Sequence, residues 1–152
     1  MATNDKAVAV LNELIETCLD GENGFRTSAE ELEDANVTRL FSSYAQQRAE
    51  FAEELKREVR RLGGDPDQKG HVTGAVHRGW INLKAALTGH DTHAVIAEAE
   101  RGEDVAKAAF QKAIDDGDLP PETRQIVERQ FMQVKEAHDH VRSLRDQYAA
   151  KS

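Results

Sequence analysis

The stretch CLDGENGFRTSAEEL, Cys18 to Leu32, sets a glutamate inside an apolar stripe. Val8, Leu11, Ile15, Cys18, Phe25, Ala29 and Leu32 recur at alternating steps of three and four, and Glu22 fills the gap between Cys18 and Phe25. That spacing is the buried face of a long amphipathic helix. A carboxylate on such a face costs several kcal/mol unless it is paired, protonated or bound to metal, so Glu22 calls for a partner elsewhere in the chain.

The same period runs through three further segments. A first helix is expected from Asp5 to Glu33, followed by the polar turn EDAN, in which Asp34 or Asn36 caps the next helix. The second helix carries Val37, Phe41, Tyr44, Phe51, Leu55, Val59 and Leu62 on one seam and ends at GGDP. Its polar seam residue is Arg48. The third runs from Thr92 to Asp116 with Ile96, Ala99, Ala106, Phe110 and Ala113, interrupted by Glu103, and Gly117 terminates it. The fourth opens at paired prolines and shows Val127, Phe131, Val134, Val141 and Tyr148, with His138 at the centre and Arg145 near the end.

Between the second and third helices lies DQKGHVTGAVHRGWINLKAALTGHD, too long for a hairpin turn. It contains a short amphipathic piece from Val76 to Leu87 around Trp80, expected to cover one end or side of the bundle. Two short connections flanking one long, partly helical crossover predict an all-α, up-down-down-up four-helix bundle over 1–152 as one domain. Counted from the turns, Glu22 and Arg48 each lie about 13 residues away, and Glu103 and His138 fall within about a turn of each other. Glu22, Arg48, Glu103, Lys135 and His138 are therefore expected to form one polar core layer.

Composition narrows the function classes. The chain of 152 residues is 39% hydrophobic and 32% charged, with a net charge of -8, which argues against a nucleic-acid backbone or an anionic membrane as partner. No long apolar run resembles a signal peptide or a membrane span, so the cytoplasm is the expected location. The single cysteine, Cys18, forms no internal disulfide and reads as a small core residue. No nucleophile elbow, phosphate loop, dinucleotide fingerprint or paired-cysteine motif is present, and a non-enzymatic protein is expected. Gly21 and Gly24, mid-helix, are expected to admit a close neighbour or a local bend. His71, His77, His90 and His93 in the crossover lack zinc-site spacing, and Asp91 or Thr92 reads as a helix cap. Glu50, Glu53 and Glu54 read as a solvated face, and Glu136 and His140 as exposed.

LNELIE, DGENGFR, RAEFAEEL, LGGDP, HRGWINLKAAL, ERGED and DLPP, in that order, resemble a group of small bacterial four-helix-bundle proteins within the ferritin-like superfamily, a DUF2383-like domain of unknown function. The resemblance covers nearly the whole chain and implies fold first. In the superfamily, di-iron sites take single glutamates from two helices and a Glu-x-x-His pair from each of the others. Glu22 and Glu103 match the single glutamates, but RAEF sets Arg48 and Phe51, and KEAH sets Lys135 and His138, at the paired positions. The expectation is a degraded ligand set without cofactor: Glu22 neutralised by Arg48, and Glu103 by Lys135 and His138. The alternative is a reduced iron or other divalent-metal site at Glu22, Glu103 and His138. Self-association through an exposed helix face is compatible with either, and no protein partner is named by the sequence.

Overall fold

The computed structural model describes residues 2–66 and 80–151. Among the described residues there are five helices and no strand: α1 Ala2–Glu31, α2 Ala35–Arg61, α3 Leu83–Thr88, α4 Thr92–Asp115 and α5 Pro121–Lys151. The protein is all-α, as its periodicity predicts. Helix α1 begins nearer the N-terminus than expected, at Ala2 rather than Asp5, and ends at Glu31. In the crossover, Val76, His71 and His77 lie outside the described residues, and only α3 and its approach from Trp80 are described.

The turns follow from local chemistry. Asp34 caps α2, its Oδ1 accepting from the backbone N–H of Asn36 at 2.9 Å and of Val37 at 3.2 Å. Helix α2 ends in a Schellman motif: Gly64 N donates to Val59 O, Gly63 N donates to Arg60 O, and Gly63 takes φ +85°. Asp91 caps α4 through Ala94 N at 3.2 Å. Gly117, at φ +72°, breaks the chain after α4, and Pro121 opens α5 where no backbone donor is needed.

Helices α1 and α2 form one antiparallel hairpin and α4 and α5 another; α1 packs on α4, α3 bridges α4 and α1, and α2 meets α5 lightly. The core has two apolar halves. One joins Leu11, Leu14, Ile15 and Cys18 of α1 to Phe51, Leu55 and Val59, to Phe110 and Ile114, and to Val127 and Val134. The other joins Phe25 and Ala29 to Val37 and Phe41, Ile96 and Ala99, and Val141. Between them the helices present Gly21, Arg48, Glu103 and His138, all buried.

Trp80 closes the second half of the core. Its indole lies against Phe25 at 5.1 Å between ring centroids and fills the space left by two glycines on different helices. A Cβ on Gly24 of α1 or Gly102 of α4 would stand 2.4 Å from the ring. The neighbour that Gly24 admits is thus a tryptophan side chain. Glu98 of α4 anchors the approach to α3, accepting from Asn82 N at 2.5 Å.

Candidate functional site

The centre of the molecule is an ion pair. Arg48 Nη1 and Nη2 donate to Glu103 Oε1 and Oε2, each at 2.6 Å, with both side chains 1% exposed. Two parallel charge-assisted bonds of this kind satisfy both carboxylate oxygens in one plane. Arg48 Nε donates to Gln47 Oε1 at 3.2 Å, and the guanidinium carbon lies 5.6 Å from the Phe25 ring centroid. Burial opposes the charge on Arg48, but its neighbours, Glu103 foremost with Cys18 and Tyr44, outweigh this together and raise the pKa of the guanidinium. Beside the pair, burial pushes the Cys18 thiol up to about 12, with Arg48 pulling it down and Glu103 pushing it up by smaller amounts.

Three expected pairings differ from what the structure contains. Arg48 reaches across to Glu103 on α4 rather than to Glu22 on α1. Glu22 is half-buried and binds Arg26 of its own helix, one turn on. The reason is rotational: the α1 position facing Arg48 is Gly21, where an added Cβ would stand 3.3 Å from Arg48 Nη1. An alternating stripe passes through either Gly21 or Glu22, and the helix buries the residue that leaves room for a guanidinium. Lys135 is exposed and takes no part in the core. With both Glu103 oxygens held by Arg48, the third pairing also changes, and His138 turns to other carboxylates.

His138, 3% exposed, places Nε2 2.5 Å from Asp104 Oδ1 and 3.6 Å from Glu100 Oε1, and Nδ1 3.1 Å from Asp139 Oδ1. Arg145 Nη1 holds the other oxygen of Glu100 at 3.3 Å. Hydrogen bonding from His138 holds the Asp139 carboxyl below its ordinary value. Sequence reasoning singled out His138 and missed Glu100, Asp104 and Asp139. The signal was present in ERGED, whose outer carboxylates are spaced i, i+4 and so share a helix face.

Other polar clusters are peripheral. Glu58 accepts from Arg61 Nη2 at 2.9 Å and Thr123 Oγ1 at 3.0 Å, tying α2 to α5; these bonds hold its carboxyl below the usual range. Glu54 is half-buried and accepts from Gln130 Nε2 at 2.8 Å and from Arg129, while Glu50 and Glu53 are exposed. His140 and Glu136 are exposed, and His140 Nδ1 pairs with Tyr44 Oη at 3.1 Å. A polar groove between α2 and α5 is lined by Gln47, Glu50, Glu54, Arg129 and Gln133.

The residues at the centre do not fit a di-iron pair. Arg48 sets a cation there, and both oxygens of Glu103 already accept from it. Among the described residues no helix is long and apolar enough to cross a membrane. No curated protein matches the chain. The model of one family, described as a domain of unknown function (DUF2383), matches residues 6–116, well over half of the sequence, and the chain belongs to that family.

Proposed function

We propose that the protein is a ferritin-like four-helix bundle with a non-enzymatic, structural or interaction role, its centre held by an ion pair where a di-iron bundle carries metal. The observation that carries this reading is the bidentate Arg48–Glu103 pair. Its partners come from different hairpins, so it joins α2 to α4 and sets the register of one hairpin on the other. The packing of the two core halves supports an up-down-down-up arrangement. One half brings the start of α1 to the end of α4, the other the end of α1 to the start of α4, so these helices run in opposite senses. The pairing of Tyr148 with Asp34, and of Thr123 with Glu58, gives the same antiparallel relation for α5 and α2.

An acidic chain of net charge -8 is suited to neither nucleic acid nor an anionic membrane, and we assign it to the cytoplasm. Association with a second copy through an exposed helix face belongs to the same proposal. The test is anaerobic incubation with ferrous iron followed by elemental analysis of wild type and Glu103→Gln. Equal iron content in the two proteins is expected. Near-stoichiometric iron in the wild type that disappears in Glu103→Gln would place a metal on Glu103 and overturn the reading.

A further inference from the structure

We propose that Glu100, Asp104 and His138 form a site for one divalent transition-metal ion, set to the side of the core ion pair. One ligand atom from each lies within 4.8 Å of the others. A buried imidazole nitrogen and two carboxylate oxygens are a donor set suited to zinc and to neighbouring first-row ions, with water completing the shell.

The outer contacts supply an argument independent of that proximity. A neutral imidazole carries one N–H, yet both nitrogens of His138 face carboxylates, Nδ1 toward Asp139 and Nε2 toward Asp104 and Glu100. If Nδ1–H donates to Asp139, Nε2 presents a lone pair to two anionic oxygens. A cation between them turns that opposition into coordination. Asp139 then occupies the position of the carboxylate that orients a metal-binding histidine, and Arg145 does the same for Glu100 by holding its Oε2 and leaving Oε1 turned to the site. The 3.6 Å between Nε2 and Glu100 Oε1 suits two ligands bonded to one ion at about 2.0–2.2 Å. Asp104, 56% exposed, can swing to accommodate the ion and leaves an entry path from solvent.

The site is independent of the core reading, because neither Glu22 nor Glu103 is a ligand. A second proton on the His138 ring would satisfy the same contacts without metal, and the experiment separates the two. Protein purified without an affinity tag and stripped by chelator is titrated with Zn²⁺ in a calorimeter, and Co²⁺ absorption reports the coordination number. One ion per chain is expected. Asp104→Asn and Glu100→Gln each weaken binding more than tenfold, Asp139→Asn weakens it about 10- to 100-fold through the histidine, and Glu22→Gln leaves it unchanged. Circular dichroism confirms that each variant is folded, which exposed Asp104 in particular permits. Absence of 1:1 binding, or Zn²⁺ binding that survives both Asp104→Asn and Glu100→Gln, overturns the proposal.

Discussion

The indole of Trp80 occupies the volume that a side chain on Gly102 would need: a Cβ there would stand 2.4 Å from Trp80 Nε1 and Cε2. This relationship reverses the usual sign of a substitution. Glycine to alanine in a helix interior ordinarily stabilises by about 1 kcal/mol. At Gly102 the methyl group meets a ring also held by Phe25, and overpacking costs about 1–3 kcal/mol. Gly102→Ala is expected to lower stability. Because Trp80 is the only tryptophan, its fluorescence should shift to the red as the indole is displaced. A more stable variant with unchanged emission would show that the indole does not fill this gap.

Cys18 is expected to be silent in the native protein. Its thiol is fully buried and pushed up to about 12, so almost no thiolate exists at pH 8. Reaction with a thiol reagent should proceed only at the rate of unfolding and become fast in denaturant. Rapid native-state labelling would contradict the burial of this segment of α1.

Glu58 provides a pH-dependent contribution. Its carboxyl titrates below its ordinary value of 4.5 in the folded protein because Arg61 and Thr123 hydrogen-bond to the charged form. The folded state therefore binds fewer protons than the unfolded chain around that pH. The stabilisation is fully present above 4.5 and is lost as pH falls through the lowered folded value. Glu58→Gln should be less stable than wild type by up to about 1 kcal/mol at pH 7, and the gap should close in acid. Denaturant melts at pH 7 and pH 3 measure it; a gap that is constant or widens in acid would be inconsistent with this pairing.

Helix existence, the stop at Gly117 and the caps, narrowed to Asp34 or Asn36 and to Asp91 or Thr92, were legible in the sequence because each rests on residues a few positions apart. The apolar seams were legible for the same reason. Partner choice inside the core was not. Residues Gly21 and Glu22 differ by about 100° around α1, and a three-four stripe passes through either. Deciding between them requires knowing that an arginine from α2 needs the space, which is a property of the assembled core. The partner of Glu103 depends on Lys135 lying outside and Arg48 reaching across from α2. Likewise the spacing of Glu100 and Asp104 puts them on one face of their helix, but only the assembled bundle brings His138 against them. Gly102 gave no sequence signal at all, since its reason is a tryptophan more than twenty residues earlier in the chain.

Whether the Arg48–Glu103 pair holds the two hairpins in register is decided by a double-mutant cycle on these two residues in denaturant unfolding. Arg48→Met alone and Glu103→Leu alone each strand a buried charge and should cost about 3–5 kcal/mol. The double variant removes both charges and should recover most of that loss, standing well above either single variant. Additive losses, with the double variant less stable than both singles, would mean that the two residues do not act as a pair and that the hairpins are held in register by other contacts.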